Sequence, residues 1–176
     1  MKVIHPFEPV YSTESKILIL GSFPSVKSRE DNFYYAHPQN RFWRIIASIL
    51  NVDVPRNINQ KKDILLNGKI AIWDVLKSCK IEGSSDASIK EPIVNDISKV
   101  LDITNISCIF FNGNKAFNIY NKYLKSKLHI KCKVLPSTSP ANAMWNFDRL
   151  LEVWKKEIIE VGGQAVLGRQ LIKATP

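Results

Sequence analysis

The segment Lys16-Ile17-Leu18-Ile19-Leu20-Gly21 decides the fold, because it is a short, almost continuous apolar run that ends in a glycine. Such a run is typical of a strand that is buried on both faces of a parallel sheet. Three more segments are similarly rich in β-forming residues: residues 69–74, 106–111 and 130–135. Two of them are also mostly apolar, whereas residues 130–135 alternate between polar and apolar side chains, as an edge strand does.

Helical patterns lie between these strands. Five apolar residues recur with the spacing that buries one face of a helix: Phe42, Ile45, Ile46, Ile49 and Leu50. The same spacing returns at residues 147–158, and weaker helices are predicted near residues 60–66, 97–101 and 117–124. Strands that alternate with helices predict an α/β fold, in which helices cover both faces of a parallel sheet. Right-handed crossovers then bring the C-terminal ends of the strands to one edge, where such sheets bind ligands.

Length and charge limit the possible organisation and partners. The chain has 176 residues, of which 45% are hydrophobic, so one globular domain over residues 1–161 is expected. Residues 162–176 open with two glycines and show no clear period, which predicts a frayed or added C-terminal tail. Lys plus Arg number 25 against 16 Asp plus Glu, and the net charge of +9 favours a polyanionic partner, with nucleic acid foremost.

Cysteine spacing and hydropathy exclude other classes of protein. Cys79, Cys108 and Cys132 form an odd, widely spaced set that suits reduced thiols and matches no zinc or iron–sulfur pattern. No stretch reaches the ~18 apolar residues that span a bilayer. The N-terminus also lacks the apolar core of a secretory signal. We therefore expect a cytoplasmic monomer that needs no metal, cofactor or membrane.

The loop after the first predicted strand is rich in hydroxyl groups. Residues 21–28 differ by one glycine from a phosphate-binding P-loop, because Val26 stands where the second glycine belongs. Pro24 also removes a backbone N–H donor that the P-loop needs. A nucleoside triphosphate site is therefore disfavoured, and the turn with its single lysine, Lys27, suits contact with a phosphodiester instead.

Aromatic rings and an amide are concentrated further along the same loop, in residues 33–43. One interpretation is that Asn40 only caps the helix that begins with Phe42 and Trp43. The other is that a tyrosine offers a stacking surface while Asn40 orients a small polar reactant. Stacking of a base on an aromatic ring contributes ~1–3 kcal/mol, which is enough to hold an extruded base.

Polar loops also follow the last two predicted strands. Asn112 can offer a donor and an acceptor to the edge of a heterocycle, or it can belong to a simple Asn-Gly turn in which Asn114 caps the next helix. Residues 136–144 contain three hydroxyl groups and two prolines, which suits phosphate contact or an ordinary helix-start loop.

Other segments and titratable residues show no catalytic pattern. The Ser-rich residues 78–92 are predicted to form a mobile surface loop. The histidines are far apart, and no Ser-His-Asp or Cys-His set is evident. The acids Asp74, Asp96 and Asp148 are isolated in the sequence and are each interpreted as a cap or a surface residue.

Taken together, four segments resemble the uracil-DNA glycosylase superfamily, and most of all its hypoxanthine-DNA (deoxyinosine) glycosylase family. These are residues 21–25, 34–43, 112–114 and 137–142, within a resemblance that covers roughly residues 5–158. The block Tyr-Ala-His-Pro-Gln-Asn-Arg-Phe-Trp at residues 35–43 is the most specific. The resemblance implies a three-layer α/β/α sandwich around a four-stranded parallel sheet. It also implies a monofunctional enzyme of base excision repair, which flips a deaminated base out of DNA and hydrolyses its N-glycosidic bond with water.

The resemblance also assigns roles by position. Asn40 matches the amide on which catalysis depends. Tyr35 matches the ring that stacks on the base and Asn112 the residue at its edge, with Phe23 and Gly21 also in the base site. The residues expected to contact the DNA strand are Ser22, Ser25, Lys27, Ser137, Ser139, Asn142 and Met144.

Two departures from the family pattern favour hypoxanthine as the substrate. Phe23 stands where mismatch-specific uracil enzymes have an asparagine, and residues 137–139 stand where uracil-specific enzymes have a histidine. A purine can be helped to leave by protonation or hydrogen bonding on its ring, which relaxes the need for that histidine.

The alternatives are a uracil or mismatch-thymine glycosylase and a non-catalytic DNA-binding module of the same fold. An unrelated phosphate-ester or nucleotide hydrolase is the third alternative, and the lack of a cluster of metal-binding carboxylates in the sequence weakens it.

Overall fold

The computed structural model describes the backbone of residues 1–167 and the side chains of residues 1–163. Its strands are β1 (Lys2–Ile4), β2 (Ile17–Gly21), β3 (Ile70–Asp74), β4 (Leu76–Lys80), β5 (Lys90–Val94), β6 (Cys108–Asn112) and β7 (Lys131–Leu135). Its helices are α1 (Val26–Asp31), α2 (Phe42–Leu50), α3 (Ile58–Asn67), α4 (Ser98–Leu101), α5 (Asn114–Tyr123) and α6 (Phe147–Leu167). Within this described part, no helix is long and apolar enough to cross a membrane.

The central sheet is parallel, with the strand order β3-β2-β6-β7, and β7 lies at its edge as predicted. Alternate residues of β2 enter two separate cores, because side chains alternate across a strand. Ile17 and Ile19 pack with α2, α3 and α6, whereas Leu18 and Leu20 pack with α4 and α5. The predicted three-layer α/β/α architecture is therefore confirmed, and the C-terminal ends of all four strands share one edge.

A second, antiparallel sheet in the order β1-β4-β5 was not predicted. The prediction of a mobile loop at residues 78–92 is wrong, because β4 and β5 pair with each other and β4 also pairs with β1. Ser78 and Cys79 are buried by these contacts. Only residues 81–89 connect the two strands, and they include a short 3-10 helix, Asp86–Ser88.

The C-terminal helix α6 continues past the predicted domain boundary at residue 161. It runs to Leu167 with a break at Gly163, where φ is 53° and ψ is −152°. The remainder of the predicted tail, residues 168–176, lies outside the described residues. The boundary between domain and tail therefore stays a prediction.

Candidate active site

A cavity of about 300 Å³ opens at the edge of the sheet where β2, β3, β6 and β7 end. This volume is at the lower end of the range for ligand pockets and suits a single small ring system. Most of the predicted site residues line it: Gly21, Ser22, Phe23, Ser25, Tyr35, Asn40, Asn112, Ser137 and Ser139. Lys27, Asn142 and Met144 do not line it.

Tyr35 is held in a strained position at the cavity. Its φ of 52° lies in the left-handed region, which is uncommon for a residue other than glycine. The ring stacks on Phe42 with the centroids 4.0 Å apart, so only the opposite face is available to a ligand. The phenol oxygen is buried and has no hydrogen-bond partner among the described residues. Burial, and then the nearby Asp74 carboxylate, raises the pKa of Tyr35, so the phenol stays protonated at neutral pH.

A buried hydroxyl links the two predicted amides. Thr138 is fully buried, and its Oγ1 donates to Asn40 Oδ1 at 2.8 Å and accepts from Asn112 Nδ2 at 3.0 Å. The Thr138 backbone N–H donates to Asn112 Oδ1 at 2.9 Å, which fixes the orientation of that amide. These hydrogen bonds join three segments that are far apart in the sequence. Thr138 was missed by sequence reasoning because its place among three hydroxyl residues gave no signal.

The Asn40 amide stabilises the start of α2 and also offers a polar atom to the cavity. Its Oδ1 also accepts from the Phe42 N–H at 2.9 Å, so it satisfies an orphan donor at the start of α2. With two hydrogen bonds to Oδ1, the group left to face the cavity is the Nδ2 donor. The prediction that Asn40 is the N-cap residue is wrong by one position, because the N-cap of α2 is Arg41, which makes no side-chain cap hydrogen bond. Asn40 still gives the helix an acceptor through Oδ1 and leaves its nitrogen available.

Arg41 fastens the loop that follows β7, residues 136–146, which we name the rim loop. Its guanidinium donates to backbone carbonyls at both ends of this loop. The acceptors are the carbonyl oxygens of Thr138, Ser139, Asn142 and Trp145. Asn142 points back into the loop, since its Nδ2 donates to the Ser137 carbonyl at 2.9 Å. Met144 projects from the loop and is 91% exposed.

The loop after β2 forms the opposite side of the opening. Ser25 caps the short helix α1 by accepting from the Ser28 N–H at 3.1 Å. Ser22 Oγ donates to Asp86 Oδ1 at 2.7 Å, so residues 81–89 cover this side of the cavity. Lys27 lies on α1 and pairs with Asp31 at 2.8 Å on the surface. Ser22 and Ser25 thus lie at the opening, and Lys27 lies near it but outside the cavity.

Asp74 is the main correction to the predicted site. It is 4% exposed and lines the cavity, rather than being a cap or a surface residue. Its Oδ2 lies 2.7 Å from His5 Nε2, and the two side chains are about equally buried. A Cβ built on Gly21 would lie 2.4 Å from Asp74 Oδ1 and 3.2 Å from the Tyr35 phenol oxygen. We name Gly21, Tyr35 and Asp74 the floor of the cavity.

The alternative in which Asn114 caps a helix is wrong. Helix α5 begins at Asn114 without a side-chain cap, and the preceding Gly113 has a φ of 96°, which favours glycine. A Cβ on Gly113 would also approach Ser137 Cβ to 3.2 Å. Among residues 1–163, no group of three or more His, Cys, Asp or Glu side chains is arranged to hold a metal ion.

Comparisons with known proteins agree with this geometry. Two relatives are named hypoxanthine DNA glycosylase. The protein from Methanosarcina barkeri is 38% identical over 77% of this chain and 86% of its own. That from Methanosarcina acetivorans is 35% identical over 81% of this chain and 90% of its own.

A solved structure and a family model extend the comparison. The solution NMR structure of a candidate uracil DNA glycosylase from Methanosarcina acetivorans matches with a TM-score of 0.77 and 32% identity. The match covers 92% of this chain and 99% of that one. The model of the uracil DNA glycosylase superfamily matches residues 8–161. Fold, site geometry and sequence similarity together place this chain in the uracil DNA glycosylase superfamily.

Proposed function

We propose that this protein is a DNA glycosylase that releases a deaminated base, foremost hypoxanthine, from DNA by hydrolysis of the N-glycosidic bond. The observation that carries this proposal is the single cavity that Tyr35, Asn40 and Asn112 line together. Its volume fits one base, and both relatives of 35–38% identity are named for release of hypoxanthine. A base inside a duplex cannot reach such a cavity, so the nucleotide must first be extruded.

Asn40 supports the chemistry as a hydrogen-bond donor. An amide has no useful pKa near neutrality and cannot serve as a general base. Its Oδ1 is already engaged by Thr138 and Phe42, so Nδ2 is the atom that can hold the attacking water or an atom that gains negative charge as the base departs. Fixed donors of this kind stabilise a transition state strongly, because they need no reorganisation during the reaction.

The two loops at the opening are suited to hold the DNA strand. The exposed thioether of Met144 can enter the stack that the base vacates, as apolar side chains do in other DNA-distorting proteins. Ser137 and Ser139 can donate to phosphates near the cavity, whereas Ser22 and Ser25 would first exchange their hydrogen bonds to Asp86 and Ser28 for a phosphate. Asn142 supports the rim loop. Phosphates drawn close in this way would stabilise the positive charge that develops on the sugar.

We further propose that the protein acts as a cytoplasmic monomer in base excision repair, without metal or cofactor. The net charge of +9 supports DNA as the partner. Cys79, Cys108 and Cys132 are all free thiols. No lysine lines the cavity among the described residues, so we expect no Schiff-base intermediate and no lyase step.

Release of base from defined duplexes tests the proposal. The protein is incubated with end-labelled duplexes that contain one deoxyinosine, a G:U pair, a G:T pair or no lesion, and alkali then converts abasic sites to strand breaks. We expect breaks at deoxyinosine foremost, and none in an Asn40→Ala variant. Salt-sensitive binding without any break would instead indicate a non-catalytic module, and stronger breakage at G:U would indicate a uracil enzyme.

A further inference from the structure

The opening of the cavity carries little positive charge. No lysine or arginine lines the cavity among the described residues, whereas Asp74 and Asp86 do. Lys27 lies nearby but pairs with Asp31, and the guanidinium of Arg41 is bound to carbonyls of the rim loop. The lysines that give the chain its net charge of +9 therefore lie largely elsewhere.

Lysines are concentrated at the edge of the central sheet opposite the cavity. Residues 103–147 contain six lysines and no Asp or Glu. Helix α5 leads away from the cavity, and the parallel strand β7 begins at the opposite edge, so the connection between them lies at that edge. Four of the six lysines lie between the last turn of α5 and the first residue of β7. These four are exposed and form no salt bridge among the described residues: Lys122, Lys125, Lys127 and Lys131.

The row of lysines continues across the sheet. Lys16 and Lys69 directly precede β2 and β3, and the N–H of Lys16 donates to the carbonyl of Lys69 at 2.8 Å. On the other side, the N–H of Ser107 donates to the carbonyl of Lys16 at 3.0 Å, and Cys108 of β6 is in register with Lys131. Neighbouring strands lie about 4.8 Å apart, so the backbones of Lys69, Lys16 and Lys131 form a row about 14 Å long. We name the lysines at this end of the sheet the cationic edge: Lys16, Lys69, Lys122, Lys125, Lys127 and Lys131.

Structural roles account for only part of the cationic edge. A lysine on an edge strand, such as Lys131, discourages pairing with another sheet, and a cation near the C-terminus of a helix, such as Lys122, stabilises that helix. Neither role applies to Lys16, which precedes an interior strand, or to Lys127, which lies between the helix and the strand. Like charges that are held close together repel one another, so a polyanion at this edge would remove a cost to the folded state.

A groove in this edge indicates which kind of polyanion fits. It has a volume of about 480 Å³ and lies between residues 101–107 and 127–131. Its polar side chains are four potential phosphate donors and one acid, namely Ser107, Lys127, His129, Lys131 and Asp102. In the part of the chain that the structure describes, the groove is lined by no tyrosine, tryptophan or arginine, the residues that dominate the binding energy of protein interfaces. Lysine is also depleted in such interfaces, so the lining favours the backbone of a nucleic acid over an acidic protein.

We propose that the cationic edge binds the phosphate backbone of a second DNA segment, without preference for sequence or lesion, while the cavity engages the first. The two surfaces lie at opposite ends of strands of five residues, or roughly 16 Å of backbone, and they share no side chain. Two segments can therefore be held at once, and the protein can pass from one to the other without first entering free solution. Binding at this edge requires no release of a base, so it is tested separately from the proposed function.

Bridging of two short duplexes tests this proposal. Undamaged duplexes that carry a donor or an acceptor fluorophore are mixed with wild-type protein, and energy transfer reports a protein molecule that holds both. We expect a signal at equimolar protein that disappears with excess protein, because each duplex then occupies a molecule of its own. The combined variant Lys125→Gln, Lys127→Gln and Lys131→Gln should reduce the signal roughly tenfold or more. It should also make the slope of log K against log salt for the second duplex shallower by about 2.7.

A matched triple variant controls for the lost charge. Lys2→Gln, Lys77→Gln and Lys90→Gln together also lower the net charge by three, from +9 to +6, but these exposed lysines lie on the antiparallel sheet. Bridging by this variant should equal that of wild type. Both triple variants should melt close to wild type, since all the substituted side chains are exposed. No bridging by wild type, or equal losses in the two variants, would overturn the proposal.

Dissociation in the presence of competitor DNA provides a second readout. In stopped flow, wild type should release a labelled duplex faster as unlabelled competitor is increased, because the competitor binds before the first duplex leaves. This rate should stay constant for the variant of Lys125, Lys127 and Lys131. Wild-type behaviour of that variant in both measurements would overturn the proposal and leave the edge to an acidic protein instead. Bridging without base release would refute the proposed function alone, and base release without bridging would refute the role of the cationic edge alone.

Discussion

The floor of the cavity and its rim loop are built in opposite ways. Asp74 and Tyr35 at the floor are buried, and they are fixed by contacts with His5 and Phe42. The rim loop is fastened through its backbone by Arg41, while Met144 stands almost fully exposed. Transition-state stabilisation needs dipoles that are fixed before the reaction, whereas DNA distortion needs side chains that project. The difference therefore suggests that the floor and its neighbours select and release the base, and that the rim loop engages the strand.

The largest effect is expected for Asn40, which hydrogen-bonds to Thr138 of the rim loop and to Phe42, the residue on which Tyr35 of the floor stacks. Asn40→Ala should lower the single-turnover rate about 10²–10³-fold, because one preorganised donor is lost. Asn40→Asp is the sharper variant, since it keeps the acceptor for Thr138 and Phe42 but removes the Nδ2 donor. It should be nearly as slow, yet unfold within a few degrees of wild type. A wild-type rate in Asn40→Asp would show that the donor is not used.

A large effect on the rim loop is expected from Arg41→Ala. The guanidinium donates to four backbone carbonyls, and hydrogen bonds to charged groups contribute about 1.5–3 kcal/mol. We expect the melting temperature to fall by roughly 5–10 °C and DNA binding to weaken. Arg44→Ala is the matched control, because it removes an exposed arginine three residues away that lies over the Phe147 ring at 4.1 Å and makes no bond to the rim loop among the described residues. Equal melting temperatures for the two variants would show that the rim loop does not depend on Arg41.

Met144→Ala should separate extrusion from chemistry. The loss of the exposed side chain leaves the floor intact, so release from single-stranded DNA should be almost unchanged. Release from a duplex should fall about tenfold, because unstacking a base costs a few kcal/mol and the Met144 side chain, inserted as a wedge in the vacated place, offsets part of that cost. Ile103→Ala, which truncates another exposed apolar side chain before β6, should match wild type on both substrates. An equal loss on single and double strands would contradict the wedge.

The smallest effect is expected for Lys27→Ala. The pair with Asp31 is exposed, so its loss should leave the melting temperature close to that of wild type. If Lys27 meets a phosphate, the slope of log K against log salt should become shallower by about 1. Lys99→Ala on α4 provides the comparison, and its slope should equal that of wild type. An unchanged slope in Lys27→Ala would remove this residue from the DNA-contact surface.

The features that could be predicted from the sequence are those that local patterns determine, and the features that were missed depend on pairing between distant residues. The parallel sheet and the loops after residues 21, 111 and 135 follow from local patterns of apolar residues, so their convergence at one edge was predictable. The antiparallel sheet was missed because it depends on pairing over long sequence separations, such as Lys2 with Lys80. The bond between His5 and Asp74 joins residues 69 positions apart and leaves no local pattern. One signal was available, because Asp74 ends a predicted buried strand at the edge where ligands were expected.

Crystallography of the protein bound to a duplex with 2′-fluorinated deoxyinosine would test the central claim most directly. The fluorine disfavours positive charge on the sugar and so slows release of the base. We expect the hypoxanthine ring outside the helix, stacked on the free face of Tyr35, with Asn40 Nδ2 directed at the bond between base and sugar. A base that stays stacked in the duplex, or that lies elsewhere on the protein while the cavity remains empty, would contradict the account.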